Sequence, residues 1–273
     1  MTERNINKKD YLSITTGSEF ANDLHKYSRP DTCIFHTAYG SAAEDDRDTL
    51  TDIMAHAAMC FFRAGADIDG MQVSLSNDPD GGNPLWRRDE AIPGAYRITL
   101  CADCADDWSQ IIYQLGYLFA HCLIDRCGLS GAIPWLEETV CEVMQPWLLL
   151  SFIGSWTECP LYGSDPGYVE HLTEYLHDFL FDQPWTNKPA RCKTRKKLLK
   201  LNENAANRPG ERAGAVCCVF GLMRDNDVRA LLYHGAFAAK ETGLIDTDAW
   251  TAACPDSLAV RYLASLQDNA REK

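Results

Sequence analysis

The chain has 273 residues, of which 46% are hydrophobic and 24% charged, enough apolar content for one large domain or one domain with a smaller appendage. Its net charge of −13 is unevenly spread: residues 1–190 hold 29 acidic and 12 basic residues, a net of −17, whereas residues 191–273 hold 10 acidic and 14 basic, a net of +4. An acidic main body argues against nucleic-acid binding there, and no window approaches ~18 uninterrupted apolar residues, which excludes a membrane-spanning helix.

The N-terminal stretch from Met1 to Asp10 carries charges but no apolar h-region, so no secretory leader is expected and residence is expected to be cytoplasmic. The 12 Cys are scattered, and Cys60, Cys122, Cys141, Cys217 and Cys218 fall inside apolar helical patterns. Reduced, buried thiols acting as small hydrophobes are the expected state.

Taken in order, residues 18–28 predict a short helix capped by Ser18. Residues 44–64 predict a longer one, because Leu50, Ile53, Met54, Ala57, Ala58, Phe61 and Phe62 recur at helical spacing. Residues 71–76 alternate with period two and predict a strand. A turn-rich loop over 77–84 leads towards a second strand at 96–101. A long helix is expected from Asp106 to Arg126, with acidic residues at its positive end and Gly128 at its stop. An apolar helix over 134–152 follows, with Pro146 as an expected kink or break. Asp165-Pro166 reads as an N-cap with Pro at the first helical position, opening a helix through Leu180. Pro184 and Pro189 flank a linker-like stretch. Arg191 to Lys200 then packs six positive charges into ten residues. Helices are expected around 213–224, 226–242 and 256–268.

Two stretches carry chemical information. Tyr113-Gln114-Leu115-Gly116-Tyr117 lies on the long helix, with Tyr113, Tyr117 and His121 on one face at i, i+4 and i+8. Pro134-Trp-Leu-Glu-Glu-Thr-Val-Cys-Glu142 opens the next helix, and 20 residues separate Tyr117 from Glu138. The first resembles the H-E-x-x-H zinc helix of metallopeptidases, in which two His one turn apart bind the metal and the Glu serves as general base. The second resembles the Trp-Leu-x-Glu-Gly-x-Ala-Glu segment of the gluzincins, the zincins whose third zinc ligand is a Glu on a following helix. Thr139 and Cys141 depart from that pattern, and Glu142 matches it. The resemblance spans about residues 70–150.

It implies an α+β, zincin-like metallopeptidase domain over residues 1–185, with a small sheet and a buried active-site helix, followed by a mainly helical extension over 190–273. It also implies that Tyr113 and Tyr117 stand where the His ligands would be, Gln114 where the base would be, and Glu138 at the third-ligand position. His121 and Glu142 fall in the surrounding shell. A phenol with a pKa near ~10 is a poor zinc ligand at neutral pH, and an amide cannot take a proton from water. The expected protein is therefore a pseudopeptidase with no catalytic residues, no bound metal and no cofactor. The tyrosine hydroxyls are expected to hydrogen-bond to Glu138 or Gln114 in place of the metal. In zincins a strand before the zinc helix borders the substrate cleft and can pair with an extended peptide. Strand 96–101 is the corresponding candidate for a peptide or protein ligand.

Two other readings stand beside this one. The chain could be an active metal-dependent hydrolase with displaced ligands drawn from His121, Glu138, Glu142 or the His171, Glu174, His177, Asp178 group, in which case zinc is its cofactor. It could instead be a regulatory or structural partner acting through its C-terminal helices. Residues 171–178 read first as a solvated polar face. Cys101 and Cys104 have C-x2-C spacing, but with Cys122 and Cys127 on a helix they read as buried thiols. The basic run 191–200 reads as a solvated face or a segment docked on the acidic body, with an acidic partner, nucleic acid included, as the alternative.

Overall fold

The structure is a computed structural model that describes residues 34–37, 44–78, 82–103, 106–182, 185–224, 226–239 and 243–270, with side chains from residue 48 onward. The expected helix at 18–28 lies outside the described residues. In chain order come β1 (Ile34–Thr37), α1 (Glu44–Arg63), β2 (Gln72–Asn77), β3 (Leu85–Arg88), β4 (Ala95–Leu100), α2 (Trp108–Arg126) and α3 (Pro134–Ser155). Short 3-10 turns lead into α4 (Val169–Asp182), then α5 (Lys188–Arg191), α6 (Arg195–Leu199), α7 (Ala213–Leu222) and α8 (Asp227–Leu232). The two-residue strands β5 (Ala238–Ala239) and β6 (Leu244–Ile245) precede α9 (Thr247–Ala253) and α10 (Leu258–Asp268).

By contact density the chain divides into two units. One comprises Tyr27–Cys122 with Met144–Phe181, and the other comprises Leu123–Val143 with Asp182–Lys273 and an N-terminal stretch outside the described residues. This division runs along a different line from the expected boundary between residues 185 and 190.

The first unit is built on a four-stranded sheet of order β1-β2-β4-β3. β1 and β4 flank β2 in parallel, and β3 pairs antiparallel with β4 through Leu85↔Thr99, Trp86↔Ile98, Arg87↔Arg97 and Arg88↔Tyr96. Parallel strands need long connections, and α1 supplies the one between β1 and β2. The expected periodicity of α1 is seen as burial: Leu50, Ile53, Met54, Ala57, Ala58 and Phe61 are all buried, while Phe62 is half-buried. Phe61 packs its ring on Phe119 and Trp147.

α2 and α3 approach closely at Gly116. A Cβ there would lie 2.4 Å from the Met144 carbonyl oxygen and 2.8 Å from the Gln145 Cα. Only a glycine permits this backbone-on-backbone contact. α3 runs from Pro134 to Ser155 with Pro146 inside it, so of the expected kink or break the break does not occur.

In the second unit, residues 186–189 are packed rather than linker-like, while Trp185 is exposed. Gly214 N–H donates to the Thr186 carbonyl at 3.0 Å, Asn187 donates to the Tyr262 hydroxyl at 2.8 Å, and Pro189 is buried. The helix expected over 226–242 ends at Leu232 and gives way to a 3-10 turn over His234–Phe237, in which Gly235 packs so closely on Leu129 that a Cβ would lie 2.8 Å from the Leu129 carbonyl oxygen. Trp250 is fully buried and donates to the Ala230 carbonyl at 3.2 Å. Among the described residues, no helix is long and apolar enough to cross a membrane.

Candidate functional site

α2 carries the residues singled out by the sequence. Gln114 is buried, and its side-chain amide accepts from Cys101 N–H at 2.8 Å and donates to Cys101 C=O at 3.0 Å. Cys101 directly follows β4, so the amide anchors the strand's end to the helix. Asn77 does the same one residue on, accepting from Ala102 N–H at 2.9 Å and donating to Ala102 C=O at 2.8 Å. Both polar functions of Gln114 are thus committed to backbone.

Tyr113 and Tyr117 are half-buried. Tyr113 packs against Tyr175 and Phe179, with ring centroids 5.7 and 5.4 Å away. Tyr117 meets the edge of His121 at 4.6 Å. His121 is buried and stacks on Trp86 of β3, with centroids 5.6 Å apart and planes 15° from parallel. Trp86 in turn lies 6.2 Å from Tyr96. An aromatic run from the edge strand to α2 therefore joins Trp86, His121 and Tyr117.

The strand expected to receive a peptide cannot do so. β4 is hydrogen-bonded to β2 on one side and β3 on the other along its length, which leaves its backbone no open edge. Among the described strands the edges of the sheet belong to β1 and to β3, and β3 follows the turn-rich loop over 77–84 at residues for which no strand was expected. Leu85, Arg87 and Arg88 are exposed there and Trp86 is half-exposed.

The loop from β3 to β4 is stapled by Asp89. Its carboxylate accepts from Ala91 N–H at 2.8 Å, Ile92 N–H at 3.2 Å and Arg97 Nε at 2.6 Å. The Arg97 hydrogen bond, helped by the two amides, holds this carboxyl well down, at about 2.

Glu138 and Glu142 belong to the other unit. Both are buried, and both face Arg212. The guanidinium donates to Glu142 through Nε at 3.2 Å and again through Nη2, and Nη2 also stands 4.0 Å from a Glu138 oxygen. Nη1 donates to the Ala205 carbonyl. A planar fork on a carboxylate is the geometry in which an Arg–Glu pair is strongest. Nothing in the sequence marked Arg212, which stands alone ahead of an Ala-rich helix. The neighbouring Glu137 turns the other way, accepting from Ser130 Oγ at 2.9 Å and Gly131 N–H at 2.6 Å.

Among the described residues, no group of three His, Cys, Asp or Glu side chains could hold a metal ion. His171, Glu174, His177 and Asp178 are exposed along α4, opposite the buried Leu172 and Leu176. Cys104 lies outside the described residues, and Cys101, Cys122 and Cys127 form no disulfide. Burial pushes the Cys60 thiol up to about 12 and the Cys159 thiol to about 11, which makes both poor nucleophiles.

Comparison of the chain with protein-family models, curated proteins and solved structures returned no match.

Proposed function

We propose that this chain is a hydrolytically inert, zincin-like module of the gluzincin type that binds an extended peptide or protein segment. The observation that carries the reading is the open edge of β3, whose Trp86 stacks on His121 one turn beyond Tyr117. An extended chain added at that edge would gain main-chain hydrogen bonds from β3 and side-chain contacts from Leu85, Trp86 and Arg87. The commitment of Gln114 to Cys101 supports the loss of hydrolysis, because the position that would activate water is occupied by an amide serving the strand.

The test uses the full chain purified without a polyhistidine tag. Its zinc content is measured, a displayed peptide library is panned against it, and amide exchange is followed over residues 85–88 with each selected peptide. Sub-stoichiometric zinc, intact peptides and slowed exchange at 85–88 support the proposal. Tightly bound stoichiometric zinc, cleavage of the peptides, or binding that leaves exchange at 85–88 unchanged overturns it.

A further inference from the structure

The basic segment that begins at Arg191 is folded around a cleft of about 500 Å³ within the unit that holds α5–α10. Asn187 caps α5 by accepting from Ala190 N–H at 3.1 Å, and Thr194 caps α6 by accepting from Lys197 N–H at 3.3 Å. Leu198 is fully buried, and Cys192 and Ala205 are nearly so. These contacts fix the backbone from which the cations project, so the charges form a concave array and not a solvated tail.

Six cations line the cleft: Lys188, Arg191, Lys197, Lys200, Arg208 and Arg212. Among the described residues its sole lining carboxylate is Glu211, which already serves two of them. Lys188 Nζ donates to both of its oxygens at 2.8 Å, and Arg208 Nη1 donates at 3.2 Å. Arg212 is engaged by Glu142. Among the described residues, Arg191, Lys197 and Lys200 have no carboxylate partner, and all three are exposed. The apolar lining is limited to Pro189, Cys192 and Leu201, with no aromatic ring among the described residues that face the cleft.

We propose that this cleft binds a compact small molecule carrying three or more phosphate groups. Arg191 at the end of α5 and Lys197 and Lys200 on α6 and its C-terminal cap, which have no carboxylate partner among the described residues, can each meet a phosphate, while Lys188 and Arg208 stand beside them on a carboxylate they can partly release. Arg191 can grip a phosphate with two donors, and the lysines act as point charges. A cleft of this size suits a nucleotide-sized ligand or a polyphosphorylated ring. A lining without aromatics lacks the stacking surface by which single-stranded nucleic acid is held, and a chain of net charge −13 repels an extended polyanion away from the cleft. High charge density in a small volume is therefore what the site selects. The proposal is independent of the peptide-binding reading.

The experiment is isothermal titration of the full chain at physiological salt with inositol hexakisphosphate, inorganic tripolyphosphate, orthophosphate, a 20-nucleotide single strand and a polyglutamate peptide. The hexakisphosphate and tripolyphosphate are expected to bind at least tenfold more tightly than the other three. The triple variant Arg191→Gln, Lys197→Gln, Lys200→Gln is expected to lose at least tenfold in that affinity. These side chains are exposed, so the unliganded melting temperature is expected to stay that of the parent. Absence of binding, equal binding by the triple variant, or tighter binding of the nucleic acid or the peptide overturns the proposal. Should the triple variant melt early, each single variant is titrated, and unchanged affinity in all three likewise overturns it.

Discussion

The side-chain amide of Gln114 and the backbone of Cys101 form a closed two-bond ring, with one bond at 2.8 Å and its return at 3.0 Å. Gln267 makes the same ring with Ile245 in the other unit, at 2.9 and 2.6 Å. In both places a buried amide satisfies the N–H and C=O at a strand terminus that the sheet leaves open. An amide offers a donor and an acceptor side by side, whereas an ionised carboxylate only accepts, so Gln114→Glu removes the donor and sets a carboxylate against a carbonyl oxygen. The expected loss is ~1–3 kcal/mol of folding stability, read from the urea midpoint. An unchanged midpoint would show that the ring contributes nothing. The variant is also expected to gain no peptidase activity, because the new carboxylate faces Cys101.

Gly116→Ala tests the packing of α2 on α3. Alanine favours a helix by about 1 kcal/mol over glycine, so propensity alone predicts stabilisation. The new methyl would meet the Met144 carbonyl oxygen at 2.4 Å, and helix backbones cannot yield as a flexible side chain does. Overpacking of ~1–3 kcal/mol is expected to prevail, giving a lower melting temperature. A rise in melting temperature would count against the close approach.

Arg212→Met leaves Glu138 and Glu142 buried without the guanidinium between them. Breaking a buried pair from one side costs about 3–5 kcal/mol, so the loss should exceed that of Gln114→Glu or Gly116→Ala. Adding Glu142→Gln is expected to recover part of it, since the neutral amide no longer needs a counter-charge. A double variant as unstable as the sum of its parts would show that the pair is not coupled.

His56 gives the fold a pH dependence. Its Nε2 lies 2.8 Å from Ser155 Oγ, whose own proton goes to the Ser151 carbonyl, so the neutral ring donates. Its ring also meets Phe152 edge-on at 4.7 Å. Burial lowers its pKa from the usual 6.5, with Arg63 adding to the effect and Glu158 opposing it. The unfolded chain therefore takes up the proton first as pH falls. Stability is full above about 6.5 and declines as pH drops from there towards the lower folded value. Urea titrations between about pH 8 and pH 5 should show a shallower decline in His56→Gln than in the parent, and parallel curves would refute the assignment.

The sequence made the regular core legible, because long helices and half-buried strands print their periods. α1, α2, α3, β2 and β4 lie within a few residues of their expected bounds. β3 escaped because Leu-Trp-Arg-Arg at a sheet edge has only one side chain resting on other residues, so no alternation appears. The close packing of Gly235 just after α8 escaped because its partner, Leu129, lies more than a hundred residues earlier in the chain. Of the candidate site, the helix positions were readable and their partners were not. The hold of Gln114 on Cys101 and of Arg212 on Glu142 depends on three-dimensional register, to which composition and spacing are blind.

The membership of Leu123–Val143 has a practical consequence for how this protein can be divided. The polypeptide leaves one unit partway along α2 and returns to it partway along α3, so two of the crossings fall inside helices. Cleavage near residue 190 would not release two self-sufficient pieces. It would separate Glu142 from Arg212 and Trp135 from Asn202, which accepts its backbone N–H at 3.0 Å. The units are interleaved along the chain, and limited proteolysis should yield fragments that remain associated until denaturant is added.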